Sequence, residues 1–167
     1  MNILLLYPRS PDTFWSFKHV LKFVSKKAAF PPLGLLTVAA MLPRAWNLRL
    51  VDLNVAPLGD AALGWADYIF MSGMIVHKDS AHEVAARCAA LGKPVLAGGP
   101  LFTTGHSDFP EIPHFVLGEA ENLIDEVVRD MERGSLRPAY RSSDWWRRFG
   151  TSATTCRLRR RRSRSKA

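Results

Sequence analysis

Three short apolar runs within residues 46–105 stop abruptly at small or polar residues. They end at Asp52-Leu53-Asn54, at Ser72-Gly73-Met74 and at Gly98-Gly99-Pro100, and segments with helical spacing separate them. Runs without polar alternation are typical of strands that are buried on both faces of a parallel sheet. Because ligands of open parallel sheets bind beyond the carboxyl ends of the strands, the three ends predict a common binding edge.

The rest of the chain continues this alternation of strands and helices. Strands are predicted over Asn2–Tyr7, Leu48–Leu53, Asp67–Ser72, Val95–Ala97 and His114–Leu117. Helices are predicted over Trp15–Ser25, Leu33–Leu42, Asp60–Trp65, Ser80–Leu91 (capped by Asp79 and ended by Gly92) and Glu119–Arg133. The alternation implies an α/β fold with a doubly wound, five-stranded parallel sheet. The flavodoxin-like or Rossmann-like strand order 2-1-3-4-5 would place a ligand crevice between strands 1 and 3.

Positive charge is concentrated at the carboxyl end of the chain. Of the 23 Lys and Arg residues, ten lie after Tyr140, whereas only one of the 15 acidic residues, Asp144, does. Residues 1–140 are therefore nearly neutral and predict one domain, and residues 141–167 predict a disordered basic tail. One interpretation of the Arg- and Ser-rich tail is a frameshift in a GC-rich gene. The other is a genuine arm that binds nucleic acid or an acidic partner.

The cysteines, the hydropathy and the N-terminal residues indicate in which compartment the protein is expected. The two cysteines, Cys88 and Cys156, indicate no disulfide framework and favour a reducing, cytoplasmic location. No apolar run reaches the roughly 18–20 residues that span a bilayer, which predicts no membrane span. The first residues, MNILLLYPRSP, lack the basic start and the cleavage site of a signal peptide.

The residues that follow strands 1 and 3 argue against several phosphate-binding classes. No G-x-G-x-x-G follows strand 1, and the chain contains no G-x-x-x-x-G-K-[ST]. A phosphoryl-accepting receiver needs acids after strand 1 and an aspartate at the end of strand 3, where Tyr7-Pro8 and Ser72-Gly73 stand. A flavodoxin needs a hydroxyl-rich loop after strand 1, where this chain is rich in proline and aromatic residues.

Ser72-Gly73-Met74 ends the third strand, and Gly98-Gly99 ends the fourth. These residues resemble the Ser-x-Leu triplet and the Gly-Gly pair of cobalamin-binding domains, with Met74 in place of leucine. In that family, the nucleotide tail of the cofactor threads between the two strands. A ring that enters a protein core needs neighbours without bulky side chains, and glycine permits a close backbone approach.

Two further segments narrow the resemblance. PPLGLLTVAA at residues 31–40 and FVLGEAE at residues 115–121 are similar to segments of the cobalamin-binding domains of radical S-adenosylmethionine enzymes, with Ala120 in place of a glycine. Five aromatic residues between Pro8 and Pro32, together with GGPLFTTG, most resemble the subgroup that includes hopanoid methylases. The resemblance covers residues 1 to about 140.

The resemblance implies a set of cofactor-binding residues and no catalytic or metal-ligating residue. Those that would line the slot for the nucleotide tail are Ser72, Gly73, Met74, Gly98 and Gly99. Those that would flank the corrin ring or the crevice are Tyr7, Pro8, Asp52 and Asn54, and Pro100, Gly118 and Glu119 complete the set. Glu119 and Glu121 have two interpretations: carboxylates that approach the amides of the corrin, or caps of the last helix, where negative charge is favourable at the N-terminus.

Two departures from the family limit the expected chemistry. The loop after strand 1 lacks the Asp-x-His-x-x-Gly that carries the lower cobalt ligand of cobalamin mutases, which implies base-off cobalamin without a histidine ligand. His19 is interpreted as a surface or packing residue. His77, which closely follows strand 3, is interpreted as an exposed loop residue, with the alternative that it faces the edge of the corrin. The chain also lacks the Cys-x-x-x-Cys-x-x-Cys of a radical S-adenosylmethionine domain, so no iron–sulfur cluster is expected.

We therefore expect the cobalamin-binding domain of a truncated protein that resembles radical S-adenosylmethionine methyltransferases. It would bind cobalamin but would not catalyse a reaction alone. The expected partner is a radical S-adenosylmethionine domain or a separate chain that carries one. The alternative is a non-catalytic interaction module with a flavodoxin-like fold, whose basic arm binds nucleic acid or an acidic protein.

Overall fold

Six parallel strands form one sheet in the computed structural model, which describes residues 1–11 and 31–142. The strands are β1 (Asn2–Tyr7), β2 (Asn47–Asp52), β3 (Tyr68–Ser72), β4 (Val95–Gly98), β5 (His114–Leu117) and β6 (Ala139–Arg141). Their order is β2-β1-β3-β4-β5-β6, which confirms the predicted α/β class and the order 2-1-3-4-5. The sheet has one strand more than the five predicted, because β6 pairs with β5 and places Tyr140 beside Val116.

Five α-helices cover the two faces of the sheet in the described part of the chain. They are α1 (Leu33–Met41), α2 (Asp60–Trp65), α3 (Lys78–Ala90), α4 (Pro100–Gly105) and α5 (Ile124–Glu132). Single 3-10 turns stand before α3 (Ile75–His77), after α4 (His106–Asp108) and before α5 (Ala120–Asn122). The sequence prediction lacks α4, which begins at Pro100, a residue whose fixed φ suits the first position of a helix.

Each face of the sheet buries its own apolar cluster. The cluster beneath α2, α3 and α4 includes Leu4, Leu6, Leu63, Val84 and Phe102. The cluster beneath α1 and α5 includes Ile3, Leu5, Leu35, Phe70 and Val127. Consecutive strand residues point to opposite faces, so the unbroken apolar run of β1 supplies both clusters.

The strand β2 lies at one edge of the sheet, and its first four residues are exposed. Leu48 and Leu50 are 36% and 42% exposed on this strand. Between them stands Arg49, whose guanidinium carbon lies 4.0 Å from the centre of the Trp65 ring. The edge strand therefore carries a cation in its middle, held against an aromatic ring.

Two helix boundaries differ from the prediction. Helix α3 begins at Lys78, so Asp79 lies in its first turn and not at the N-cap position. The last helix is α-helical only from Ile124, because a 3-10 turn precedes it. Gly92 has a φ of +63°, the left-handed conformation expected at the end of a helix.

Several predictions fall on residues outside the described ranges. They are the helix over Trp15–Ser25, the role of His19 and the basic tail from residue 143 onward. The predicted domain boundary after Tyr140 falls inside β6, whose last residue is Arg141.

Candidate functional site

A cavity of about 520 Å³ opens at the carboxyl ends of β3, β4 and β5, on the face that carries α1 and α5. This volume is in the range of about 300–1,000 Å³ that is common for sites of small molecules. Apolar side chains and glycine backbone form most of its wall, and its charged lining residues are Glu119 and Glu121. The geometry is therefore that of a site for a largely uncharged group.

Ser72 and Gly98 lie side by side at the mouth of this cavity, where they pair in the register of β3 and β4. Gly99 follows with a φ of +89° and a ψ of −178°, a region that is essentially restricted to glycine. A Cβ atom on Gly99 would also come within 2.6 Å of Ser72 Oγ. Both the backbone conformation and the close approach of the Ser72 hydroxyl therefore require glycine here.

Helix α4 is anchored over the ends of the neighbouring strands by two hydrogen bonds. The Leu101 N–H donates to the Gly73 carbonyl at 3.0 Å. The Gly118 N–H donates to Thr103 Oγ1 at 3.1 Å, and Gly118 itself has a φ of +103°. The helix that directly follows Gly99 thus links the ends of β3 and β5 and fixes the rim of the cavity.

The structure brings half of the predicted cofactor-binding residues into the wall of this cavity. They are Ser72, Gly98, Gly99, Pro100, Gly118 and Glu119. The others, Tyr7, Pro8, Asp52, Asn54, Gly73 and Met74, are not part of the wall. The cavity lies at β3, β4 and β5, displaced from the crevice that strand order predicts between β1 and β3.

The residues after β1 and β2 bond to one another at the point where strand order reverses. The side-chain amide of Asn54 donates to Asp52 Oδ1 at 2.8 Å and to the Pro8 carbonyl at 3.3 Å. Its Oδ1 accepts the Ser10 N–H at 2.8 Å. Burial and the charge of Asp52 raise the pKa of Tyr7 in the same region. These contacts fix the loop after β1 against the end of β2.

His77 is only 2% exposed, so its prediction as an exposed loop residue is wrong. Its Nδ1 accepts the Met74 N–H at 2.9 Å, and its Nε2 lies 2.9 Å from Ser10 Oγ. The Tyr7 ring packs edge-on against it, with 4.7 Å between ring centres. Burial lowers the pKa of His77, and the charge of Asp52 acts weakly in the opposite direction. The imidazole is therefore neutral near pH 7.

Sequence reasoning missed the residues that α1 contributes to the cavity and all of those from α4 except Pro100. Gly34 and Val38 line it from α1, and Thr103 lines it from α4. A usable signal for α4 is Pro100 directly after a Gly-Gly pair, which is typical of a helix that starts at a strand end. The burial of His77 left no such signal, because its partner Ser10 lies 67 residues earlier in the chain.

Two further observations concern the described ranges alone. Within residues 1–11 and 31–142, no three His, Cys, Asp or Glu side chains are grouped so as to hold a metal ion. In the same ranges, no helix combines the length and the apolar content that crossing a bilayer requires. The expected absence of an iron–sulfur cluster stays a prediction.

Comparison with known protein families gives a match to the B12 binding domain over residues 23–128. All residues that line the cavity, from Gly34 to Ile124, fall inside the matched segment. No solved structure matches the chain significantly.

Three curated proteins are similar to most of this chain. An uncharacterized methyltransferase of Synechocystis sp. is 38% identical over 146 residues, which make up 86% of this chain and 27% of that protein. The hopanoid C-2 methylase of Rhodopseudomonas palustris is 31% identical over 138 residues, 82% of this chain and 26% of the methylase. The bacteriochlorophyllide d C-12(1)-methyltransferase of Chlorobaculum tepidum is 23% identical over 143 residues, with shares of 84% and 29%. The chain thus spans little more than a quarter of the length of these relatives.

Proposed function

The chain belongs to the B12-binding domain family, and on this basis we propose that its cavity receives the nucleotide tail of a cobalamin. One observation carries the proposal: Ser72 and Gly98 pair at the mouth of the cavity, and glycines form part of its wall, namely Gly34, Gly98, Gly99 and Gly118. A strand end built in this way admits a ligand close to the backbone.

The residues that line the cavity fit an aromatic ring on an extended linker. Gly34, Gly98 and Gly118 present backbone without side chains, and Leu35 and Val38 supply apolar wall. A ring that enters this space removes apolar surface from water, which favours binding. The Ser72 hydroxyl at the mouth can donate one hydrogen bond and accept others, which suits a heteroaromatic nitrogen or a phosphate oxygen.

Cobalamin, when bound, supplies a cobalt centre that can carry a methyl group. The residues that line the cavity would hold the nucleotide tail and exclude water from around it, while the corrin would stay at the carboxyl edge of the sheet. Both ring nitrogens of His77 are engaged by Met74 and Ser10, which supports a bound cobalamin with no ligand from this histidine. A nucleotide tail held in the cavity would correspond to the base-off form.

We assign this domain to a methyltransferase system because the relatives carry methyltransferase or methylase names. Transfer of the methyl group would then depend on a radical S-adenosylmethionine domain, in the same longer protein or in a separate chain. A cytoplasmic location fits Cys88, which is buried and unpaired, and whose pKa burial raises to about 11.

Filling the cavity from Gly34 tests the proposed site. A Cβ atom at Gly34 meets nothing within 4 Å, so a Trp side chain has room to enter the cavity that this residue lines. Gly64 on α2 is the matched control, because a Cβ atom there also meets nothing within 4 Å and Gly64 is not part of the wall. The 167-residue chain and its Gly34→Trp and Gly64→Trp variants are mixed with hydroxocobalamin and desalted, and their visible spectra are recorded.

We expect the unsubstituted chain and Gly64→Trp to retain corrin absorbance, and Gly34→Trp to lose it while its circular dichroism spectrum is unchanged. A folded, unsubstituted protein that retains no corrin would overturn cobalamin binding. Full retention by Gly34→Trp would overturn the cavity as the site. Gly98→Trp is a less clean variant, because a Cβ atom there would lie 3.2 Å from the Val116 carbonyl oxygen.

A further inference from the structure

His77 joins two loops that leave different strands of the sheet. Its Nδ1 binds the Met74 N–H after β3, and its Nε2 binds Ser10 Oγ after β1, both at 2.9 Å. The ring is almost completely buried, and Tyr7 packs edge-on against it. A buried side chain that is bonded at both ends has one orientation, so it fixes the distance between the two loops.

The same network reaches the end of β2 and the start of α3. The Ser10 N–H donates to Asn54 Oδ1 at 2.8 Å, and Asn54 in turn is held by Asp52 Oδ1. The Arg9 N–H donates to Ser80 Oγ at 3.0 Å. Through Ser10 and Met74, His77 is thus connected to the ends of β1, β2 and β3 at the carboxyl edge of the sheet.

The donors around His77 determine its tautomer. A backbone N–H can only donate, so Nδ1 must be the unprotonated acceptor for Met74, and the proton must lie on Nε2. Nε2 then donates to Ser10 Oγ. In this tautomer the ring has no lone pair left to bind a metal ion or to accept the Ser10 proton, which excludes a metal-ligand role and a Ser–His nucleophile pair.

The segment that His77 restrains exposes three consecutive apolar side chains. Met74, Ile75 and Val76 are 54%, 67% and 53% exposed, directly after Gly73 at the end of β3. The Gly73 carbonyl, just before this segment, accepts the Leu101 N–H at 3.0 Å. A short, firmly held turn therefore presents an apolar surface at the same edge as the cavity.

We propose that His77 is a positioning residue that holds the Met74–Val76 turn as a fixed apolar platform, against which a planar ring bound at this edge packs. The platform favours binding because the backbone of the turn is held by hydrogen bonds before the ligand arrives, so that less conformational entropy is lost on binding. The inference rests on the proposed function in one respect, namely that the planar ligand is the corrin of cobalamin.

Three variants of the 167-residue chain test this role: His77→Phe, His77→Gln and His82→Phe. Phenylalanine keeps the ring but removes both hydrogen bonds, whereas glutamine retains one acceptor and one donor. His82→Phe is the control, because His82 also combines a ring stack, on Phe109, with a bond to Glu111, but stands on α3 outside the network. Two quantities are measured: cobalamin affinity, and amide hydrogen exchange at Met74 in the cofactor-free protein.

For His77→Phe we expect faster exchange at Met74 and an affinity for cobalamin that is weaker by about tenfold or more, as the loss of a buried hydrogen-bonded tether implies. His77→Gln should recover most of both, and His82→Phe should change neither. Unchanged affinity and unchanged exchange in His77→Phe would overturn the inference, as would an equal loss of affinity in His82→Phe. If the unsubstituted protein binds no cobalamin, the proposed function fails, and the exchange rate at Met74 alone decides whether His77 holds the turn.

Discussion

Gly99 meets two separate steric requirements at the mouth of the cavity. Its φ of +89° with ψ near 180° is a conformation that residues with a Cβ atom avoid. Its hydrogen atoms also face Ser72 Oγ at a distance that a methyl group would not allow. The first requirement belongs to the backbone and cannot relax, whereas the second can be relieved by rotation of the serine side chain.

The substitution Gly99→Ala is expected to lower the free energy of unfolding by about 1–3 kcal/mol, because alanine must adopt the strained conformation. Chemical denaturation measures the change. In the double variant Gly99→Ala with Ser72→Ala, the protein should regain only the stability that Gly99→Ala loses through the close contact with Ser72. The loss of unfolding free energy that persists is then due to backbone strain.

Gly34→Ala is the matched control for this substitution. Gly34 lies inside α1, and a Cβ atom there meets nothing within 4 Å, so alanine should stabilise the protein by about 0.5–1 kcal/mol. Equal effects of the two substitutions would contradict a special conformation at Gly99.

His77 makes the stability of the fold depend on pH. Burial lowers its pKa in the folded protein below the value of 6.5 that it has when unfolded, and the neighbouring Asp52 offsets this in part. Between the two pKa values the unfolded chain binds a proton that the folded chain does not. The free energy of unfolding therefore has its full contribution from neutral His77 above pH 6.5. This contribution declines as the pH falls below 6.5 through the lowered pKa of the folded protein.

We expect the unfolding free energy of the unsubstituted protein to fall more steeply than that of His77→Gln between about pH 7 and pH 5. Urea denaturation at several pH values measures both slopes. Asp52 acts on His77 through its charge, and Tyr7, which packs against the His77 ring, stays neutral in this interval because burial raises its pKa. Parallel curves for the two proteins would contradict a lowered pKa.

At the scale of elements, the three-residue strand β6 depends on side-chain hydrogen bonds for its attachment to the fold, because so short a strand forms few backbone bonds. Tyr140 is only 1% exposed, and its hydroxyl donates to Asp130 Oδ2 at 2.9 Å and accepts the Arg137 N–H at 3.1 Å. Arg137 pairs with the same Asp130 oxygen at 3.1 Å and with Glu126 at 2.7 Å. A three-residue strand thus closes the sheet because one aromatic side chain connects it to α5.

Tyr140→Phe should destabilise the protein by about 1–3 kcal/mol, since it leaves a buried carboxylate oxygen and a backbone N–H without one partner each. Thermal or urea unfolding gives the total, and amide exchange at Phe115 and Leu117 reports on the pairing of β5 with β6. An unchanged unfolding free energy would show that water replaces the hydroxyl and that β6 does not depend on it.

The same elements show what sequence patterns could and could not predict. β1, β5 and α2 have the bounds expected from them, because each is a clear apolar run or a helical segment between turn signals. β6 escaped prediction because three residues are too few for a period, and its key contact is to Asp130, ten residues earlier. α4 was not predicted because the residues GGPLFTTG have the composition of a loop. Only the backbone conformation of Gly99 directs the chain so that a helix begins at Pro100.

For the whole molecule, the distribution of charge separates the fold from the tail. Residues 1–142 contain as many basic as acidic residues, and all of the excess positive charge of the chain lies beyond them. The lining of the cavity, from Gly34 to Ile124, includes no basic side chain. Binding of cobalamin should therefore owe little to long-range attraction.

A chain that ends at Ser142 is expected to bind cobalamin with the affinity of the 167-residue chain, and the binding should change little with salt. Titration by visible absorbance at low and high salt measures both. Any affinity for DNA should disappear with the tail, because phosphate neutralisation requires the arginines. Loss of cobalamin binding on removal of the tail would contradict this division.

The candidate site was predictable where it depends on adjacent strand ends and unpredictable where it depends on distant segments. Ser72 and Gly98 meet because parallel neighbours end at one edge, a consequence of topology alone. Gly34 and Val38 enter the wall only because α1 packs against β1 and β3, which no local pattern indicates. Asp52 and Asn54 lie at the carboxyl edge of the sheet, as the sequence predicts. They bond to each other there, and Asn54 bonds to Pro8 in the loop after β1, so neither lines the cavity.

The cation in the middle of β2 has a consequence for solubility. In the described part of the chain nothing pairs with the outer side of β2, and replacing Arg49 with an apolar residue would give four consecutive β-prone side chains from Leu48 to Val51. Such an open edge recruits strands from other molecules and can start fibril growth. The contact with Trp65 fixes the arginine stem while its charge stays at the edge, so one residue acts as a gatekeeper against aggregation.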